Sequence, residues 1–136
     1  MLRTLLLGLL LTLQAHALPG WKLDGVEAGE TANQIDWPHQ PQKDGQFRHG
    51  ATLVKVEQGV VVSVSGSSLT TPAGATIKKG QSGDAALKTL GTAESVLYGC
   101  GKDSQQIHFF KRYQLDLTVT NGKVTSIRLF SETPKR

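Results

Sequence analysis

Cys100 and His108 are the residues whose types and spacing come nearest to a catalytic pair. A cysteine acts as a nucleophile when a base or a positive field holds it as the thiolate, and Lys102 and Lys111 lie near it in sequence. No third group that would orient the histidine stands out, and the flanking glycines hold geometry poorly. The pattern therefore favours a protein without catalysis. As an unpaired thiol, Cys100 is either inert and buried or available for an intermolecular disulfide.

The remaining histidines give no pattern typical of a metal site. His39, His49 and His108 are scattered along the chain, without an HxH or HxxxH pair. One cysteine excludes both an internal disulfide framework and a four-cysteine zinc site. The acidic residues fall in turns and at helix caps, where solvation accounts for them. We expect neither a metal nor a cofactor.

An aromatic and basic segment, IHFFKR at 107–112, is the stronger functional signal. Strand alternation places His108, Phe110 and Arg112 on one face, so one of the two adjacent phenylalanines is exposed unless both faces are covered. An exposed aromatic beside an arginine is typical of a binding hot spot. The alternative is that the helix and the N-terminal segment cover both faces and every aromatic belongs to the core. We predict a protein-binding surface that contains Trp37, His39, Tyr98, His108, Phe110 and Arg112.

The segment Met1–Ala17 reads as an export signal. Arg3 is its one charge, Leu5–Leu13 is an apolar run of nine residues, and small residues occupy positions 15 and 17. No apolar run of the chain is as long as a membrane span, which needs roughly 18 residues. No cysteine follows the expected cleavage point, so we expect no lipid anchor. The mature protein, 18–136, is expected to be soluble and exported, in the periplasm or outside the cell.

Composition bounds what remains after the leader. Of 136 residues, 38% are hydrophobic and 19% charged, which is typical of a folded domain, and about 119 mature residues suffice for one. Residues 76–136 carry ten basic and five acidic side chains, against four and six in 18–75. The basic half would suit an acidic partner, although a solvated surface is the simpler interpretation. No motif for RNA or DNA accompanies it, so we expect no nucleic-acid partner.

Periodicity predicts the elements. Residues 18–50 look irregular because glycine and proline interrupt them every few residues, and within them Val26–Ile35 is a candidate for a short helix or strand. In the region 51–130, β-branched alternation predicts strands, and one short helix should begin at the N-cap Ser82, with Asp84 in its first turn, and end at Gly91. A helix this short must pack on something, and the sheet is the candidate. We therefore predict a single α+β domain in which a curved antiparallel sheet of about five or six strands packs against one main helix.

Two hairpins resemble each other when position 59 is set on position 122, a fixed offset of 63. Gly59 then falls on Gly122, Val61 on Val124, and Val64 on Ile127. The three-residue step from valine to branched residue breaks strand alternation, and one extra residue in a β-bulge would restore it. We predict bulges near Val62-Ser63 and near Thr125-Ser126. The helix shows no counterpart in the first half, and two unrelated hairpins with common β residues remain the alternative.

The second half, about residues 76–130, resembles a known fold. Its features are Gly80-Gln81-Ser82, a short helix ending Leu90-Gly91, a glycine-punctuated strand pair, and the hairpin from Gln114 to Ile127. The pattern is similar to that of the β-lactamase-inhibitor-protein-like fold, shared by small bacterial envelope proteins of the SmpA/OmlA type. The resemblance implies binding of proteins through a sheet surface and supplies no catalytic residues.

Together these features predict an exported, non-catalytic protein that binds another protein through its sheet face and loops. One concrete form is an inhibitor of an envelope or extracellular hydrolase. A second is a secreted factor that engages the surface of another cell. An enzyme that uses Cys100 is the rival class, and a carrier with a closed apolar pocket between helix and sheet is a third.

Overall fold

The computed structural model describes residues 20–99 and 104–131. Within them the chain folds as one α+β domain with a single α-helix, α1 (Gly83–Leu90). Ten strands form two antiparallel sheets, and this is more than the five or six expected. The strands are β1 (Lys22–Leu23), β2 (Gly45–His49), β3 (Thr52–Glu57), β4 (Val60–Gly66), β5 (Ser68–Thr70), β6 (Thr76–Lys78), β7 (Ser95–Tyr98), β8 (Gln105–Phe110), β9 (Leu115–Thr120) and β10 (Lys123–Phe130).

The larger sheet has seven strands in the order β2-β3-β4-β10-β9-β8-β7, and the smaller has the order β1-β5-β6. The segment 18–50, expected to be irregular, contains three short regular elements. It supplies β1, a 3-10 turn (Ala32–Gln34) and β2. The difference has a physical reason: the elements are very short, and turns such as Asp24-Gly25, both with positive φ, join them without any periodic pattern.

One face of the large sheet, here called the covered face, carries the core. Alternate residues such as Val54, Val64, Leu117 and Ile127 point into it and are fully buried. The smaller sheet and the N-terminal segment cover one part of this face, and α1 covers another through Ala86 and Leu90. From the N-terminal segment, the core receives Trp21, Leu23, Val26, Ala28, Ala32 and Ile35.

Helix α1 begins and ends where the sequence predicts. The hydroxyl of Ser82 accepts a hydrogen bond from Ala85 N at 3.3 Å, and the cap residue Gly91 has a positive φ of 86°. The first helical residue packs tightly, because a Cβ on Gly83 would lie 2.6 Å from a methyl group of Val119. The helix is therefore held against β9 at a distance that only glycine allows.

The two predicted hairpins have the same irregularity at equivalent positions. The pairing of β3 with β4 changes register between Lys55 and Val56, where Val62 of β4 is the extra residue. The pairing of β10 with β9 changes register between Val124 and Ser126, where Thr125 is the extra residue. The turns also match: Gln58-Gly59 and Asn121-Gly122 have positive φ at both residues, as a type I′ turn requires. Both predicted bulges are confirmed.

The hairpins meet at the middle of the large sheet. β4 pairs antiparallel with β10, with Val64 opposite Leu129 and Gly66 opposite Ile127. The offset of 63 makes Ile127 the equivalent of Val64 and Leu129 the equivalent of Gly66, so exchanging the two repeats turns each of these pairs into the other. Ser65 pairs with its own equivalent, Arg128. The two repeats are therefore related by an approximate two-fold axis through the Ser65–Arg128 pair, which we call the seam.

The helix has a counterpart after all, contrary to the prediction. Gly80 N donates to Val124 O at 2.7 Å and Gly83 N to Gly122 O at 2.8 Å. In the first repeat, Gly29 N donates to Val61 O and Ala32 N to Gly59 O at the same distances. The 3-10 turn at Ala32 thus occupies the position of α1. The residues that make these bonds form a short motif, GETA at 29–32 and GQSG at 80–83. The two copies are 51 residues apart, whereas the hairpins are 63 apart, so a comparison at the single offset of 63 does not align them.

Candidate functional site

The second face of the large sheet, here called the open face, differs sharply from the covered one. Register places one row across it that reads Arg48, Leu53, Ser65, Arg128, Asp116, Phe109 and Ser95. Every residue of that row except Asp116 is half-buried or exposed. No element of the described residues packs over this row, so it is the accessible side of the sheet.

An ion pair lies at the middle of the open face. Asp116 and Arg128 are direct neighbours on β9 and β10, and Nε and Nη2 of Arg128 both donate to Oδ2 of Asp116. Asp116 is 7% exposed, whereas about half of the Arg128 side chain is accessible. Oδ1 of Asp116 is buried and has no hydrogen-bond partner among the described residues. Solvent does not reach this oxygen, so the accessible part of the pair is the Arg128 side chain.

Two half-exposed aromatic rings flank the ion pair. Phe109 lies directly across from Asp116 on β8, and the guanidinium carbon of Arg128 lies 5.9 Å from the Phe130 ring centroid. Beyond Phe109 on β8 and β7, Ile107 pairs with Leu97. The open face thus presents apolar side chains beside an arginine, which is the composition of a binding hot spot.

The charges of the open face are mixed. Arg48, Lys55 and Arg128 share it with Glu57 and Asp116, by strand alternation. Lys55 Nζ lies 3.6 Å from Glu57 Oε1, and both side chains are about half exposed. Exposed pairs of this kind contribute little stability, which leaves their charges available to a partner.

The structure corrects two predicted binding residues. Phe110 is 0% exposed and His108 is 8% exposed, because both point to the covered face, where they pair with Leu115 and Leu117. The reachable ring of the segment is Phe109, of the opposite parity. Burial lowers the pKa of His108, so the ring is neutral near pH 7, and its Nε2 lies 3.0 Å from Gln106 Oε1.

Arg112 is exposed, as a binding residue should be, but it also has internal partners. Its backbone N donates to Glu94 Oε2 at 2.6 Å, and its guanidinium pairs with the same carboxylate. The guanidinium also donates to Leu90 O at the end of α1 and lies 4.6 Å from the Tyr113 ring centroid. Since Tyr113 stacks on Trp21 at 4.6 Å, Arg112 ties the helix end to an aromatic stack.

The other predicted residues do not form one surface with these. Trp37 is half-buried, and its ring lies 5.5 Å from that of His49 on β2; His39 beside it is exposed. Tyr98 is 67% exposed and lies on β7. β2 and β7 are the two ends of a seven-stranded sheet, so six strand spacings, roughly 29 Å, separate them.

Cys100, on which a catalytic role would depend, lies outside the described residues. The same is true of Lys102, the expected signal peptide 1–17 and the tail 132–136. Among residues 20–99 and 104–131, no group of three histidine, cysteine, aspartate or glutamate side chains is placed to hold a metal ion. In the same residues, no helix is long and apolar enough to cross a membrane.

Sequence reasoning missed Asp116 and Arg128, and of the two adjacent phenylalanines it selected Phe110 instead of Phe109. A signal for them exists, because the strongly alternating β9 puts Asp116 on the face opposite three buried residues, Leu115, Leu117 and Val119. A carboxylate in the middle of a central strand faces solvent or a partner charge. Its pairing with Arg128 follows from the turn at Asn121-Gly122 only after the bulge is counted.

Comparison of this chain with protein-family models, with curated protein sequences and with solved structures finds no match.

Proposed function

We propose that this chain is an exported, non-catalytic protein that binds another protein through the open face. The observation that carries the proposal is the Asp116–Arg128 pair between Phe109 and Phe130, in which about half of the Arg128 side chain is accessible. Export is inferred from the apolar, singly charged leader.

The chemistry of the open face indicates the kind of contact. Phe109 and Ile107 offer apolar area, and Arg128 offers donors for a carboxylate or a carbonyl. A partner that contributes a carboxylate or carbonyl oxygen together with an apolar anchor meets both requirements. An envelope or extracellular hydrolase that the protein inhibits is one such partner. A molecule on the surface of another cell is a second.

The test starts from residues 18–136 immobilised against envelope and secreted fractions at low and high salt. For the captured partner, Phe109→Ala and Arg128→Ala should each weaken binding by about 30-fold, the effect of losing a hot-spot residue. The matched control is Lys88→Ala on α1, an exposed change on the other side of the sheet, which should leave binding unchanged.

Two outcomes would reject the proposal. One is a partner whose affinity is the same for all three variants. The other is a partner lost equally with Lys88→Ala, which would place the contact on the helix side. Export is tested separately, by fusing residues 1–17 to a reporter without its own signal and measuring cleavage and release. A reporter that stays uncleaved in the cell contradicts export but not binding.

A further inference from the structure

The two edges of the large sheet are protected to different degrees by the described residues. An unpaired edge strand offers free N–H and C=O groups to another strand, and proteins usually guard it with charge, proline or cover. At one end, β2 carries Arg48 and His49, and the Trp37 ring contacts His49. At the other end, β7 reads SVLY, with neither charge nor proline. The strand β7 therefore lacks the usual chemical protection of an edge.

The side chains of β7 point to the same conclusion. Leu97 is 57% exposed and Tyr98 is 67% exposed, and these are the exposed large hydrophobic residues of the described part of the chain. Strand alternation puts Leu97 on the open face and Tyr98 on the covered face, at a place that α1 leaves accessible. Apolar side chains thus extend from both faces of an unprotected edge.

Backbone hydrogen bonds show which groups of β7 are free to pair. Gly99 N donates to Gln105 O at 2.9 Å, and on the other side of β8, Asn121 N donates to Ser104 O at 3.0 Å. Bonding alternates along an antiparallel strand, so Leu97, two residues before Gly99, also bonds inward to β8. The N–H and C=O groups of Val96 and Tyr98 therefore point outward from the sheet.

We propose that two copies of this chain pair antiparallel through β7, with Leu97 on the two-fold axis. In this register, Val96 of one copy lies opposite Tyr98 of the other, so both outward-facing residues of each strand exchange backbone hydrogen bonds with the partner. Leu97 then meets its own equivalent in a non-hydrogen-bonded pair, where side chains approach most closely. The strand is self-complementary, because an uncharged sequence meets itself without like-charge repulsion.

The geometry has a consequence for the open face. An axis perpendicular to the sheet keeps both open faces on the same side. Leu97 pairs with Ile107 within one copy and meets Leu97 of the other copy at the axis. The apolar side chains of Ile107 and Leu97 therefore form one patch that continues across the two copies. The edge is only four residues long. It buries less area than the roughly 1600 Å² typical of stable interfaces, so the dimer is expected to be weak and concentration-dependent.

The first experiment tests the register by disulfide trapping. Cys100→Ser removes the native thiol, and Leu97→Cys or Val96→Cys is then added to it. A non-hydrogen-bonded pair has Cα atoms about 4.5 Å apart, within the range of a disulfide. Leu97→Cys should therefore cross-link under mild oxidation, and Val96→Cys, which faces Tyr98, should not. Cross-linking at Val96 alone, or equally at both positions, would overturn the proposed register.

The second experiment measures mass by sedimentation equilibrium in reductant, from about 10 μM to about 1 mM, the range suited to a weak complex. The average mass of residues 18–136 should rise toward twice the monomer, and Leu97→Asp, which places two carboxylates at the axis, should abolish the rise. Gln46→Asp adds the same charge at the β2 edge and should leave it unchanged. A constant monomer mass, or a dimer that survives Leu97→Asp, would overturn the proposal.

Discussion

The two repeats share a backbone pattern and differ in what they add to it. Each has a type I′ turn, a bulge three residues after the turn glycine, and the same hydrogen bonds from a preceding GxTx or GxSx motif. The two copies of the motif are 51 residues apart, however, and the two hairpins are 63 apart, so the second repeat has twelve more residues between its motif and its hairpin. Those residues turn a three-residue 3-10 turn into α1 and add the edge strand β7.

The comparison separates two kinds of constraint. Turn, bulge and motif are held by backbone geometry, which side-chain changes alter little, and they persist in both repeats. The covering of the sheet is held by side-chain packing, and each repeat achieves it differently. We expect substitutions at equivalent positions of the two repeats to have unequal effects wherever packing decides.

The largest difference is expected at the last position of the strand before each hairpin. Phe110 pairs with Leu115 and is fully buried, whereas the equivalent His49 pairs with Thr52 and is exposed. Phe110→Ala should lower the free energy of unfolding by about 3–5 kcal/mol, and His49→Ala by at most about 1 kcal/mol. Urea denaturation measures both. Equal losses would mean that the two repeats pack alike.

A smaller difference is expected at the two helix N-caps. The Ser82 hydroxyl accepts from Ala85 N, but Thr31, at the same place before the 3-10 turn, makes no side-chain cap. Ser82→Ala should cost about 1 kcal/mol, and Thr31→Ala no more than a few tenths. Thermal unfolding of the two variants at one pH provides the measurement. A larger loss at Thr31 would contradict the assignment of the cap.

The smallest effect is expected at the residue before each cap, and it depends on pH. Oε1 of Glu30 accepts from Glu27 N at 2.8 Å, and Oε1 of Gln81 accepts from Lys78 N at 2.9 Å. Desolvation raises the pKa of Glu30 above its usual 4.5, so the ionised carboxylate weakens the fold as pH rises through that raised value. Glu30→Gln keeps the acceptor and should stabilise the protein at pH 7 by about half a kcal/mol or less, since water screens the group.

The control for this prediction is acid. Below the pKa that Glu30 has in the unfolded chain, both states hold the proton, so the variant and the parent should show the same stability. A Glu30→Gln variant less stable than the parent at pH 7 would show that the charge itself has a favourable partner.

Local signals in the sequence are sufficient for a large part of the fold. The Asn121-Gly122 turn, the bulges at Val62 and Thr125, and the Ser82 cap each depend on a few neighbouring residues, and all are predicted from them. The N-terminal segment is not, because two-residue and three-residue elements leave no periodicity to detect. Fold elements that are stabilised by distant partners cannot be recognised from their own residues alone.

The candidate site depends on such distant information. Whether Phe109 or Phe110 faces solvent is decided by what lies on each side of β8, and that includes Trp21 and Tyr113, far apart in sequence. The alternation of the strand is evident from its residues, but the accessible side has the parity opposite to the one predicted. Asp116 escapes notice because a single carboxylate acquires significance only when its neighbour across the strand pair, Arg128, is known.

The seam between β4 and β10 has an evolutionary consequence. An ancestor of half the length, with one hairpin and one motif, would have left its last strand unpaired unless a copy of itself supplied the partner. The symmetric pairing about Ser65 and Arg128 is the arrangement that such a homodimer would have, preserved here within one polypeptide. Under such an origin, gene duplication and fusion would have freed each half to diverge, and the centre of the ancestral interface would correspond to the row that carries the Asp116–Arg128 pair.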